Sequence, residues 1–255
     1  MRILVTNDDG IHAHGLHVLE AIARSLSDDV LVVAPEADQS GVGHSLSLND
    51  PLRLREIGEN RFAVKGTPTD CVVMGARKLA GERKIDLVLS GVNRGQNVAE
   101  DITYSGTVAA AIEGALMGVK AIALSQSYRG GSRERLHWDC AQAHGPKVLR
   151  DILAAGISDG GLVNVNFPPV AAAAVMGVAV THQGRRDTDL LRVEERQDGR
   201  GIPYYWLMFK RGGFPLAEAS DVAALAADKI SVTPLSVDFT DHSALARLKA
   251  ALHTP

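Results

Sequence analysis

The sequence predicts an α/β fold with a mostly parallel sheet and helices on both faces. Two observations carry this expectation. Short apolar runs alternate with helix-period patterns through the first half of the chain. Glycine, proline or polar residues bound most of the runs, as strand ends require. Strand–helix–strand alternation of this kind builds parallel sheets, whose ligands sit beyond the carboxyl ends of the strands.

Taken in order, Ile3-Leu4-Val5 reads as a buried strand. Leu16, Leu19, Ala23 and Leu26 then fall at helical spacing and mark one face of an amphipathic helix. Val30 to Ala34 is a second strand, stopped by Pro35. Thr67, Pro68 and Asp70 spell a helix start, with Thr as cap, Pro at the first position and an acid three residues on. That helix is expected to run to about Ala80. Ile85 to Leu89 is β-rich, after which Ser90-Gly91 is expected to turn the chain. Ser105 or Thr107 caps a helix through Met117, and Ala121 to Leu124 is a further strand.

The second half reads differently. Asp139 to Ala155 is helical in pattern, and Leu162 to Val165 is a strand ending at Pro168-Pro169. Val178 to Phe209 is long, polar and β-like, with a turn signal at Asp198-Gly199 and an aromatic group at Tyr204-Tyr205-Trp206. A two-stranded arm is marginal by itself. It is expected to pack on a partner subunit, to fold over the core, or to be an ordinary hairpin. Ser243 to Leu252 is an amphipathic helix, with Leu245 and Leu248 three apart.

Composition excludes several classes. Lys plus Arg is 27 against 30 for Asp plus Glu, so the basic footprint of a nucleic-acid polymer binder is missing. Aromatics at 4% argue against base-stacking platforms. Val108 to Val119, a long apolar segment, holds Glu113 and is too short for a bilayer, so no membrane partner is expected. Two cysteines, Cys71 and Cys140, form neither a disulfide framework nor a zinc pattern, which fits a reduced, cytoplasmic setting.

Four stretches can carry chemistry, and all follow predicted strands or open a helix. Asn7-Asp8-Asp9-Gly10 leaves the first strand. Two adjacent carboxylates repel unless a cation neutralises them, and oxygen ligands suit a hard divalent ion such as Mg²⁺ or Mn²⁺. The bland reading is a solvated loop with Asp9 capping the next helix. Ser40-Gly41-Val42-Gly43 follows the second strand but lacks the third glycine of a dinucleotide fingerprint. Ser90-Gly91-Val92-Asn93, with Asn97 further on, offers a neutral oxygen to a metal, a donor to a phosphate, or a plain turn. Tyr104-Ser105-Gly106-Thr107 opens a helix, where free N–H groups and the helix dipole suit a phosphate or serve capping alone. Their shared address points to phosphate chemistry on a metal. His12, His14 and His17 read as solvated, and Asp187-Thr188-Asp189 is a minor metal candidate in the polar arm.

At this point the chain resembles the SurE family of survival-protein nucleotidases. The resemblance rests on Asn7-Asp8-Asp9-Gly10 with His12, Ala34-Pro35, Ser40-Gly41, Gly66 to Val72, Ser90 to Asn93, and Ser105 to Gly114, all in the family's order. Asn164 to Pro168 and Thr240-Asp241 extend it. It implies a Rossmann-like core and a metal-dependent 5′/3′-nucleotidase acting on nucleoside monophosphates. It also implies one Mg²⁺ or Mn²⁺ per subunit on Asp8, Asp9, Ser40 and Asn93. Asn97, Ser105, Gly106 and Thr107 match the family's phosphate contacts. A catalytic core over 1–180 would carry a β-arm and terminal helix over 181–255, joining homodimers or homotetramers. Departures lie around the substrate loop, where Gln96 and Ala99 replace a usual Pro and Gly, and at His14, where Pro is common.

Either a metal-activated water or an aspartate, Asp8 or Asp9, can attack phosphorus. The rivals are a nucleotide-binding module without catalysis and a nucleotide-sugar transferase using Asp187 and Asp189.

Overall fold

The computed structural model describes residues 1–129, 136–186, 191–209 and 216–252. The chain begins with β1 (Ile3–Thr6), α1 (His14–Arg24) and β2 (Val30–Pro35), then a hairpin of β3 (Arg53–Gly58) and β4 (Arg61–Lys65). It continues through α2 (Pro68–Met74), β5 (Leu87–Arg94), α3 (Gly106–Leu116), β6 (Lys120–Gln126), α4 (Trp138–Ala154) and β7 (Leu162–Phe167). The remainder holds β8 (Val178–Val180), β9 (Leu191–Gln197), β10 (Pro203–Phe209), α5 (Asp221–Ala226), β11 (Ile230–Leu235) and α6 (His242–Leu252).

Among the described residues, one sheet has nine strands in the order β3-β4-β2-β1-β5-β6-β7-β11-β8. The run from β4 to β7 is parallel, and only the β3–β4 and β7–β11 pairs are antiparallel. β1 is the pivot: the chain leaves it to one side towards β2 and returns on the other as β5. In open α/β sheets such a switch point opens a crevice at the carboxyl ends of the strands.

The central strands are buried on both faces, which explains their unbroken apolar runs. Leu16, Leu19 and Ile22 of α1 and Val148 and Leu149 of α4 close one face with Ile3, Val5 and Ile122. Cys71 and Val72 of α2 and Val108 and Ala111 of α3 close the other with Leu4, Val33 and Val88. Helices therefore cover both faces, as the alternation predicts. No helix among the described residues is long and apolar enough to cross a membrane.

The helix from Thr67 has its full capping box and runs, as expected, to about Ala80, with a π-helical last turn over Gly75–Leu79. Three expectations are corrected. Ser90-Gly91 does not turn the chain, since β5 runs through it to Arg94 with a register shift between Ser90 and Asn93. Gly91 allows this at φ +136°, where a Cβ would lie 2.1 Å from the Leu124 carbonyl oxygen. Residues 178–180 belong to the main sheet as β8 rather than to the arm. The core does not end at 180, because β11 returns from the extension to pair between β7 and β8.

The arm itself is a separate two-stranded sheet of β9 and β10, turning at Asp198 to Ile202. Tyr204, Tyr205, Trp206 and Leu207 on it are exposed. α6 likewise buries none of its residues, and Leu248 and Leu252 face solvent.

Candidate active site

The crevice beside β1 holds a cavity of about 230 Å³. Asp8 and Asp9 line it from the loop after β1, Ser40 and Gly41 from the loop after β2, and Asn93 from the end of β5. Asn97 and Ser105 line it from the connection into α3. All four sequence candidates therefore meet in one place.

Local bonds explain how each arrives there. Asn7 closes the turn by donating from Nδ2 to the Gly10 carbonyl at 3.0 Å and accepting from Gly10 N–H at 3.2 Å. Gly10 takes φ +101°, so it supplies the turn its position predicts. Gln39 N–H donates to the Asp8 carbonyl at 2.8 Å, lacing the β2 loop to the β1 loop. The Ser105 hydroxyl accepts from Val108 N–H at 3.0 Å and caps α3.

Asp8 is the electrostatic centre. Its carboxylate is buried, and the Thr107 hydroxyl donates to Oδ1 at 2.5 Å. Burial pushes its pKa up to about 7; the Thr107 bond opposes this and the Asp9 charge adds to it. Asp9 Oδ2 accepts from Arg94 N–H at 3.0 Å. Ser40 donates its hydroxyl to Asp38 Oδ1 at 2.6 Å, and Asn93 donates from Nδ2 to the Gly95 carbonyl at 2.9 Å.

These four residues fit a hard divalent cation on their chemistry. They offer two carboxylates, a hydroxyl and an amide oxygen, all oxygen donors. Each is also oriented by a hydrogen bond to a neighbour, as metal ligands generally are. A buried carboxylate beside a second acid is disfavoured as an anion until a cation joins it. The set contains only two acids, in keeping with the lack of any group of three or more His, Cys, Asp or Glu suited to a metal among the described residues.

Of the phosphate candidates, Asn97 and Ser105 line the cavity and Gly106 and Thr107 open α3 behind them. Thr107 spends its hydroxyl on Asp8, so its backbone N–H is the group it has for an anion. The Asn97 Nδ2 donates to Ser125 Oγ at 2.8 Å. Its N–H donates to Asn166 Oδ1 at 2.8 Å, and its carbonyl accepts from Asn164 Nδ2 at 2.8 Å and Asn166 Nδ2 at 3.1 Å.

Nothing in the sequence alone assigns Asn164 and Asn166 this task. The available signal was two buried amides alternating inside the apolar strand β7. Arg94, Asp101, Tyr104, Tyr128 and Arg186 also line the cavity and were passed over as site residues. Burial raises the Asp101 carboxyl above its ordinary value, while the paired Arg186 guanidinium opposes this. His12, His14 and His17 are exposed, as expected for solvated side chains. His14 packs on Trp138 with ring centres 5.5 Å apart. Asp187 and Asp189 lie outside the described residues.

The family model described as survival protein SurE matches residues 3–189. A protein named 5′-nucleotidase SurE from Methylorubrum extorquens (strain PA1) is 61% identical over 251 residues, 98% of this chain and 99% of its own length. One of the same name from Methylobacterium sp. (strain 4-46) is 62% identical over 252 residues, 99% of this chain and 100% of its own. The crystal structure of SurE protein from Aquifex aeolicus superposes with a TM-score of 0.85 at 38% identity, covering 99% of this chain and 100% of that one. With its motifs in order, its sheet matched and its length covered, the chain belongs to the SurE family.

Proposed function

We propose that the chain is a metal-dependent phosphatase that hydrolyses nucleoside 5′- and 3′-monophosphates to nucleoside and phosphate. The observation that carries this is the Asp8–Thr107 bond. It fastens an acid pair to the opening turn of α3, so a cation site and an anion-binding helix end share one cavity. Relatives named 5′-nucleotidase SurE, similar over nearly the whole chain, support the same reading.

In this reading Asp8, Asp9, Ser40 and Asn93 hold one Mg²⁺ or Mn²⁺. When bound, the cation supplies positive charge to the phosphoryl oxygens. The N–H groups of Gly106 and Thr107, the Ser105 hydroxyl and Asn97 orient the phosphate. Thr107 fixes the rotamer of Asp8, and Arg94 N–H fixes Asp9. The bond between phosphorus and the nucleoside oxygen breaks, one water is consumed, and the nucleoside leaves as an alcohol. A reduced, cytoplasmic setting belongs to the same proposal, supported by two cysteines that are separate, buried thiols.

The test is phosphate release from a panel of nucleoside monophosphates, first with EDTA and then with added Mg²⁺ or Mn²⁺. Release that stops with EDTA and returns with metal is the expected result. No release with any metal from folded protein would make the non-catalytic binding module the leading account.

We also propose that the β9–β10 arm and α6 join copies of the chain into dimers or tetramers. Their exposed apolar side chains support this. Replacing residues 191–209 with a short linker is expected to give monomers by light scattering, and an unchanged mass would overturn the proposal.

A further inference from the structure

The connection from Asn97 to Ser105 contains a backbone outlier. Ala99 is buried and takes φ +51°, the left-handed region that side chains with a Cβ disfavour. Such a conformation persists only where the surroundings impose it, and these positions cluster at functional sites.

Here the surroundings come from far along the chain. Asp221, at the start of α5, accepts from Ala99 N–H at 2.9 Å through Oδ2. Its Oδ1 accepts from Gly184 N–H at 2.8 Å and Val222 N–H at 2.7 Å. Gln183 Nε2 donates to the Ala99 carbonyl at 3.0 Å, so both backbone polar groups of this one residue are held from outside the loop. Arg186 N–H donates to Glu100 Oε2 at 2.6 Å, and its guanidinium pairs with Asp101. Val98 and Ala99 pack on Val222 and Leu225 beneath. Gly184 permits the close approach, since a Cβ there would lie 2.7 Å from Asp221 Oδ1.

We infer that Asp221 is a positioning residue for the phosphate-binding loop: it holds Ala99 in its left-handed conformation and thereby sets the course of the chain from Asn97 to Ser105. The inference rests on the nucleotidase reading for its kinetic consequence. Asp221 receives three N–H donors on its two oxygens, so asparagine keeps its shape but turns one acceptor into a donor. Glycine adopts the left-handed region without a Cβ penalty. An Ala99→Gly change therefore removes the need for the restraint.

The experiment compares wild type, Asp221→Asn, Gln183→Ala, and Asp221→Asn combined with Ala99→Gly. At saturating metal, Asp221→Asn is expected to raise KM for a nucleoside monophosphate about tenfold with kcat held within about threefold. Adding Ala99→Gly brings KM back to within about threefold of wild type. Amide hydrogen exchange over 97–105 rises in the single variant and falls again in the double. A variant that loses thermal stability with KM and exchange unchanged has lost only a structural contact, which overturns the inference. So does a raised KM that glycine does not recover. If Asp221→Asn fails to fold, Gln183→Ala makes the same test through the Ala99 carbonyl. If wild type releases no phosphate, the nucleotidase reading falls instead, and loop exchange alone decides for or against the restraint.

Discussion

Asp8→Asn is expected to lower phosphate release by about 10³-fold while raising the melting temperature of the metal-free protein. The two effects come from one property. Asp8 is a buried carboxylate with a second acid beside it, so without a cation its charge opposes folding. Asparagine removes that charge and still accepts the Thr107 hydroxyl bond at its amide oxygen. The gain is on the order of 1–3 kcal/mol, or a few degrees in Tm for a chain of this size. Added Mn²⁺ should raise the melting temperature of wild type by mass action and leave the variant where it was. Scanning fluorimetry with and without metal, beside a phosphate assay, reads all of this. Turnover near wild type would remove Asp8 from the chemistry, and a lowered Tm without metal would refute the buried-charge account.

Gly106→Ala is expected to cut kcat/KM by about 10²-fold and to lower Tm. Helix propensity alone predicts the opposite, since alanine in place of glycine stabilises a helix by about 1 kcal/mol. Space decides the sign here. A Cβ at position 106 would meet Asp8 Cβ at 2.9 Å, Asp8 Oδ2 at 3.1 Å and Pro68 Cγ at 3.2 Å. Asp8 has to move, and the Thr107 bond moves with it. A Tm that rises with activity intact would show that the contact relaxes without consequence.

The parts of the site that were legible in the sequence share one trait: they are local. An acid pair and glycine directly after a short apolar run, or Ser-Gly-Thr directly before an alanine-rich helix, can be read in a window of ten residues. The capping box at Thr67 is of the same kind, and the structure contains both of its bonds. The helix beyond it reaches about Ala80 as the pattern predicts, but its π-helical last turn over Gly75–Leu79 has no mark in the local pattern. β11 was missed for a different reason: Pro234 within it argues against a strand, yet the residue pairs opposite Val163. Ser90-Gly91 looks like a turn in isolation, yet β5 continues through it between β1 and β6. Asp221 and Arg186 stand 122 and 85 positions from their partners Ala99 and Asp101. Contacts that distant are set by topology, and one sequence carries no mark of them.

The cavity wall divides into positions that can change and positions that cannot. Arg94 reaches Asp9 through its backbone N–H, a bond that any residue except proline keeps. Tyr104 and Tyr128 border the same cavity from two other connections. Gly106, wedged against Asp8, admits no side chain at all. Descendants of this gene can therefore drift in what they accept, one rim residue at a time, while the hydrolytic step is inherited intact. An engineer seeking a new substrate would randomise 94, 104 and 128 together and leave 106 alone.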